Sequence, residues 1–194
     1  MQQLKVVGFN GSPRKEGNTS RLIDLTFQQL KAEGIETETV SLAGAPIRGC
    51  IACFKCFKNK NRRCNVTNDI VNECIEKMEG AHGIVMGSPT YFADLTPELK
   101  ALIDRAGMVA RANNMMWRRK VGAAVVAVRR AGAIHVFDSI NHFFTIGEMI
   151  IPGSIYWNIG IGREIGEVDS DEEGVRTMKS LGDNMAWLLK KLHA

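Results

Sequence analysis

The sequence predicts an α/β domain in which a parallel sheet is covered by helices on both sides. Three observations carry this. Short apolar runs alternate with amphipathic stretches in a β-α order repeated five times. The runs LKVVGF, GIVMG and KVGAAVVAV are too apolar for a sheet with one wet face. The 194 residues contain no linker, repeat or low-complexity segment, so a single domain over 1–194 is expected.

The first strand, 4–9, ends in NGSPRKEGN, a segment of turn formers. Leu22, Ile23, Leu25, Phe27 and Leu30 then mark an amphipathic helix that closes near Gly34. ETETVSL (36–42) alternates like a strand and enters a cysteine-rich loop, 44–67. After Asp69 a helix carries Ile70, Val71, Cys74, Ile75 and Met78 on one face. Ile84, Val85 and Met86 form the third strand. Thr96 is the expected N-cap of the next helix, with Pro97 at its first position and Leu99, Leu102, Ile103 and Ala106 as its buried stripe. Residues 120–128 make the fourth strand, RRAGA its exit, and about 134–149 a helix. GSIYW (153–157) is the expected fifth strand, and NIGIGREIGEVDSDEEG an irregular loop. The last helix, 172–192, is expected to bury Val175, Met178, Leu181, Met185, Leu188 and Leu192.

The composition, 45% hydrophobic and 24% charged, is that of a water-soluble globular chain. A net charge of +4 favours anionic ligands but does not argue for nucleic acid. No apolar run approaches the roughly 20 residues that span a bilayer. MQQLKVVGFNGSPR lacks the features of a signal peptide, so a cytoplasmic location is expected. Thiols stay reduced there, and clustered cysteines then point to metal or redox chemistry. No Ser-His-Asp order, catalytic carboxylate pair or H-E-x-x-H motif is present. No catalytic side chain is assigned.

Parallel strands bring every β→α loop to one edge, where ligands of open sheets bind. Four loops fall there: 10–18, 44–67, 88–95 and 129–133. In NGSPRKEGNTS a strand gives way to a helix N-terminus. Ser12, Asn18, Thr19 and Ser20 add donors there, and Arg14 adds a charge, a set suited to phosphate. The segment is neither G-x-G-x-x-G nor a Walker loop, which favours a mononucleotide such as FMN. The bland reading is a capped turn. SPTYFAD places Tyr91 and Phe92 where they could stack on a flavin or simply pack together. RRAGA offers Gly132 for close backbone approach, and Arg129 and Arg130 for a flavin edge, a nicotinamide phosphate or solvent.

RGCIACFKCFKNKNRRC (48–64) holds four of the five cysteines in a C-x2-C-x2-C-x7-C pattern, with six Lys and Arg residues. Such a run can wrap a face of an iron–sulfur cube through Cys50, Cys53 and Cys56, with Cys64 closing it. Arg48, Lys55, Lys58, Lys60, Arg62 and Arg63 would offset the cluster's negative charge. Zinc, which prefers two separated C-x2-4-C pairs, a redox dithiol, and free thiols remain alternatives. Cys74 lies on an apolar helix stripe and is expected to be buried and inert.

GSPRKEGNTS, GSPTYFADLTPELKALIDR and the cysteine cluster between them resemble the NADPH-dependent FMN reductase family of the flavodoxin-like superfamily, and within it the iron–sulfur flavoproteins. The resemblance implies a flavodoxin-like three-layer sandwich with strand order 2-1-3-4-5. It implies FMN phosphate held by Ser12, Arg14, Asn18, Thr19 and Ser20, and Pro89, Thr90, Tyr91 and Phe92 along the ribityl chain and ring. Residues 129–132 would lie at the ring edge, placing Arg129 and Gly132 there. It also implies a [4Fe–4S] cluster on Cys50, Cys53, Cys56 and Cys64 and assembly as dimers or tetramers. In that subgroup the gap before the last cysteine is usually shorter than FKNKNRR.

The helix over 134–149 is apolar nearly all round, with Ile134, Val136, Phe137, Ile140, Phe143, Phe144 and Ile146. Its second side is expected to meet a partner subunit, with Trp117 extending the interface. His135 and His142 have no Cys or acidic partner nearby in sequence and are expected at a surface or interface. The expected function is an FMN-dependent oxidoreductase that passes electrons from NAD(P)H or a reduced carrier to a quinone, an oxygen species, a flavin or a protein. Alternatives are a cluster-free NAD(P)H:FMN or quinone reductase, a flavodoxin-type carrier, and a zinc-stabilised binding module.

Overall fold

In the computed structural model, which describes residues 3–194, one parallel sheet has the strand order β2-β1-β3-β4-β5. The strands are β1 (Lys5–Asn10), β2 (Glu36–Ser41), β3 (Gly83–Pro89), β4 (Val121–Val128) and β5 (Ile159–Ile161). The helices are α1 (Asn18–Ala32), α2 (Lys55–Asn59), α3 (Val71–Gly80), α4 (Pro97–Ala112), α5 (Ala133–Ile146) and α6 (Glu172–Leu192).

Side-chain alternation along the strands sorts the core into two layers. Val7, Phe9, Ile84, Met86, Ala124 and Val126 face α3, α4 and α5. Val6, Val85, Val121, Ala123 and Val125 face α1 and α6. The central strands are apolar on both faces because helices cover both. Each fully buried Phe or Leu in these layers contributes about 1.5–3 kcal/mol through removal from water.

The fifth strand differs from expectation. It is Ile159–Ile161, within the segment expected to be irregular, whereas Ile155, Tyr156 and Trp157 are 58%, 56% and 50% exposed. Strand propensity pointed to the aromatic run; backbone fit decided otherwise. Asn158 anchors the edge, its Nδ2 donating to the Ala124 carbonyl (2.9 Å) while its own carbonyl accepts from the Val126 N–H (2.9 Å). Gly160 follows, and a Cβ there would sit 2.6 Å from Leu22 Cδ2 of α1.

Two further corrections concern burial. Trp117, expected on a subunit interface, is 1% exposed and belongs to the core beneath α4 and α5. In α6, whose limits match expectation, Met178, Leu181 and Met185 are buried as expected, but Val175 and Leu188 are half-buried and Leu192 is 42% exposed, with Ala186 and Leu189 buried instead. On α5, Val136, Ile140, Phe143 and Phe144 are buried, while Ile134 and Ile146 are exposed. Among the described residues no helix is long and apolar enough to cross a membrane.

Candidate functional site

The loop after β1 is held from within. Asn10 Oδ1 accepts from the Ser12 N–H (3.0 Å), and Asn10 Nδ2 donates to the Lys15 carbonyl (3.1 Å). Ser12 Oγ accepts from the Arg14 N–H (3.1 Å). Thr96 Oγ1, at the start of α4, donates to the Gly11 carbonyl (2.8 Å), and a Cβ at Gly11 would meet Leu99 Cβ at 2.8 Å. The chain then enters α1 through Gly17, which supplies no side-chain cap, and the first turn carries no acid. The N-terminal amides of α1 are therefore available to an anion.

A cavity of about 260 Å³ opens above this turn. Ser12, Arg14, Asn18 and Thr19 line it from the first loop, Pro89, Thr90 and Tyr91 from the loop after β3, and Arg129 from the loop after β4. Eight of the eleven expected cofactor residues thus share one cavity. Ser20, Phe92 and Gly132 do not line it. Ser20 is half-buried on α1, and Phe92 is 94% exposed. Gly132 caps α5 at φ +86°.

Gly162 and Arg163, which follow β5, also line the cavity, and sequence reasoning missed them. Their signal was hidden by the misplaced fifth strand: once β5 ends at Ile161, the next loop falls on the same edge as the others. This loop is tied to the first one. Asn18 Nδ2 donates to the Glu164 carbonyl (2.9 Å), Asn18 Oδ1 accepts from the Gly166 N–H (2.8 Å), and Arg14 Nη1 donates to the Arg163 carbonyl (3.3 Å). The Asn18 side chain thus joins two loops.

Charge and unsatisfied polarity both mark the cavity. Arg14, Arg129 and Arg163 line it and no carboxylate does. The buried hydroxyls of Thr19 and Thr90 have no hydrogen-bond partner. An unpaired buried hydroxyl costs about 1–3 kcal/mol, so two of them at one basic cavity fit an anionic ligand that supplies acceptors.

The cysteine loop makes a second pocket, against the second half of α4 rather than at the carboxyl edge where it was expected. Cys50, Cys53, Cys56 and Cys64 all line it, with Arg105, Met108 and Val109 from α4. Among the described residues, four of the nine non-glycine residues with positive φ lie in this loop: Ala52, Phe54, Lys60 and Arg62. Left-handed turns at Ala52 and Phe54 each cost about 1–2 kcal/mol, a strain that collects at functional sites. FKNKNRR is absorbed by α2 and by ion pairs from Arg62 to Glu79 and from Arg63 to Glu76 of α3. These bring Cys64 back to the other three thiols. Asn72 then clamps it: Asn72 Oδ1 accepts from the Cys64 N–H (2.7 Å), and Asn72 Nδ2 donates to the Cys64 (3.0 Å) and Val66 (3.2 Å) carbonyls.

The cations expected to face the cysteines do not line this pocket; Arg105 of α4 does. Its Nε donates to Cys64 Sγ (3.3 Å), and it pairs with Asp69, each side chain being 1% exposed. Burial pushes the Asp69 carboxyl up, but hydrogen bonds from Arg105 and the Val71 N–H outweigh this and hold it below its usual range. Burial likewise opposes the Arg105 charge, and its bonds to Asp69 and Cys64 more than restore it. Among the described residues, no three or more His, Cys, Asp and Glu side chains are drawn together as a formed metal site. The donor set is four thiols, a guanidinium and no carboxylate. In chemistry it fits a thiolate-ligated, negatively charged group. Cys74 lies apart, fully buried, its thiol pushed up to about 12 by burial.

His135 has an acidic neighbour after all, with Nε2 lying 3.3 Å from Asp94 Oδ2, and it remains on the surface. A third cavity, of about 790 Å³, runs between α4 and α5, lined by Ile103, Met108, Phe143 and Ile146 and reaching Cys50 and Ala52.

Comparison with known proteins places this geometry. Residues 4–164 match the family described as NADPH-dependent FMN reductase. An iron–sulfur flavoprotein of Methanocaldococcus jannaschii is 37% identical, the match covering 96% of this chain and 98% of the relative. One from Methanosarcina thermophila is 30% identical, covering 96% of each. Among solved structures, RosB with a bound 8-demethyl-8-formylriboflavin-5'-phosphate superposes with a TM-score of 0.73 at 18% identity, over 98% of this chain and 80% of that one. A WrbA-like flavodoxin from Agrobacterium tumefaciens gives 0.67 at 12% identity, over 98% and 99%. These structures share the flavodoxin-like fold. The chain belongs to the NADPH-dependent FMN reductase family and, within it, to the iron–sulfur flavoproteins.

Proposed function

We propose that the protein is an FMN-dependent electron-transfer oxidoreductase that carries a [4Fe–4S] cluster on Cys50, Cys53, Cys56 and Cys64. The observation that supports the flavin most is the cavity lined by three arginines and two unpartnered buried hydroxyls, Thr19 and Thr90. Ser12, Arg14, Thr19 and the α1 N-terminus would bind the phosphate. Asn18 would hold the two flanking loops together around it. Pro89, Thr90 and Tyr91 would follow the ribityl chain, and Arg129, Gly132 and Phe92 would border the ring. Bound FMN supplies hydride acceptance and electron transfer. The protein positions it and sets the surrounding charge.

All four cysteines line one pocket, together with a guanidinium and no carboxylate. A zinc site of four thiolates usually presents two separated C-x2-4-C pairs. The consecutive C-x2-C-x2-C run of Cys50, Cys53 and Cys56 supports a polynuclear group instead. Electrons would enter from NAD(P)H or a reduced carrier and leave to a quinone, an oxygen species, a flavin or a protein. We place the protein in the cytoplasm, where the thiols stay reduced. We take the groove between α4 and α5 as the contact of a homodimer or homotetramer.

Anaerobic purification tests the assignment. The expected protein is brown, with one FMN and about four irons per chain. A yellow protein that takes up no iron would remove the cluster and keep the flavin; failure to bind FMN would remove the flavin oxidoreductase assignment. Steady-state NAD(P)H oxidation with an added quinone separates an enzyme from a carrier.

A further inference from the structure

Arg105 sits in the apolar stripe of α4, between Leu102 and Ala106, where an aliphatic residue would be expected. Its side chain is 1% exposed. Burying a guanidinium has an effective penalty of several kcal/mol unless its donors are satisfied. They are satisfied by the cysteine loop. Nη1 donates to the Arg48 carbonyl (3.2 Å), two residues before Cys50, and Nη2 to the Val66 carbonyl (2.9 Å), two residues after Cys64. Nε donates to Cys64 Sγ itself (3.3 Å). The remaining partner is Asp69, whose Oδ1 also accepts from the Val71 N–H (3.2 Å) at the start of α3. One planar fork thus fastens the entry, the exit and a sulfur of the same loop.

Arg105 is also the one charged residue that lines the four-cysteine pocket among the described residues. The loop's own cations lie elsewhere, Arg62 and Arg63 being paired on α3. We propose that Arg105 is a positioning residue of the cysteine pocket, closing the loop at both ends and, through its bond to Cys64 Sγ, raising the reduction potential of the cluster held there. This rests on the iron–sulfur reading of the pocket. A donor aimed at a ligating sulfur and a fixed positive charge both favour the state that carries the additional electron. Asp69 opposes this from the far side of the guanidinium. It does not line the pocket, so the nearer positive end of the pair prevails.

The test compares wild type, Asp69→Asn and Asp69→Asn/Arg105→Gln, each reconstituted anaerobically with iron and sulfide. Iron per chain, the cluster midpoint potential followed by electron paramagnetic resonance, and limited proteolysis of the iron-free chains are read. Removing the opposing carboxylate in Asp69→Asn is expected to raise the potential. Removing the guanidinium from that background lowers it again by at least a tenfold change in the reduced-to-oxidised ratio, about 59 mV for one electron. The iron-free double variant is expected to be cut several-fold faster within 48–66. Equal iron with coincident potentials in the two variants overturns the proposal, because a merely structural arginine would not move them in opposite directions. If wild type itself takes up no iron, the iron–sulfur reading fails and the proposal falls with it, a distinct result. Should the double variant not fold, Arg105→Lys, which keeps the charge and loses the fork, replaces it. It is expected to give a lower potential than wild type and faster cleavage, and unchanged values overturn the proposal.

Discussion

The Asn18 Oδ1 atom accepts a hydrogen bond from the Gly166 N–H at 2.8 Å, joining residues 148 positions apart in sequence. Together with the bond from Asn18 Nδ2 to Glu164, it fixes the loop after β5 against the loop after β1. Each such bond contributes about 0.5–1.5 kcal/mol net. Asn18→Ala is expected to lower stability by about 1 kcal/mol. FMN affinity should weaken about tenfold, equivalent to 1.4 kcal/mol. Titration of FMN fluorescence checks this; unchanged affinity would show that the tie between the loops does not shape the cavity.

Thr19 makes a prediction of two signs. Its hydroxyl is buried without a partner, so Thr19→Val removes an unsatisfied group at nearly constant shape. The ligand-free protein is expected to keep its stability or gain up to about 1 kcal/mol, while FMN binding weakens about tenfold. Urea unfolding of the apoprotein and equilibrium binding measure the two effects. Destabilisation of the apoprotein would mean that the hydroxyl has a role within the fold.

The five cysteines should separate into four and one. Cys50 and Cys53 are exposed, Cys56 and Cys64 half-buried, and Cys74 buried. A thiol reagent at neutral pH is expected to modify four thiols in the folded, metal-free chain, and the fifth only after unfolding. Cys64→Ser is expected to abolish iron binding. Cys74→Ala should keep the iron and lose about 1–2 kcal/mol of stability through a small cavity. Iron analysis and thermal unfolding distinguish them.

His82 predicts a pH dependence. Burial lowers its pKa, and the positive charges of His193 and Lys120 add to this. His82 Nδ1 accepts from the Lys5 N–H (3.1 Å), a bond open only to the neutral ring. Because the folded pKa lies below the unfolded value near 6.5, the unfolded chain binds the proton first. The contribution is present above that value and is lost as the pH falls through it toward the folded pKa. The urea midpoint should therefore fall between pH 7.5 and 5.5, and His82→Gln should flatten that part of the profile. A wild-type midpoint that rises over this range would contradict the assignment.

Ile146 is 66% exposed beside the groove between α4 and α5. Ile146→Asp should therefore change monomer stability by about 0.5 kcal/mol or less. If the groove is the subunit contact, the same substitution dissociates the assembly, which light scattering after size-exclusion chromatography would detect. A mutant with wild-type mass places the contact elsewhere.

By itself the sequence determined the layers, the order of elements and the chemistry available at the carboxyl edge. Periodicity and turn residues express local backbone preference and burial on one or two faces. That is why KVGAAVVAV reads as a strand buried on both sides, and why Thr96-Pro97 marks the start of α4. The two candidate segments could be picked out for the same reason: residues 10–20 and 50–64 carry their polar and thiol groups within one short stretch. Tertiary structure alone decided what depends on neighbours distant in the chain. β5 formed at Ile159–Ile161 rather than 153–157 because Asn158 matches the edge of β4 and Gly160 clears Leu22. That registration carried Arg163 into the first cavity. The cation that meets the cysteines came from α4, where a single charge in an apolar stripe gives no local sign of the loop it will fasten. Contacts of that kind follow from packing in three dimensions, which no window along the sequence spans.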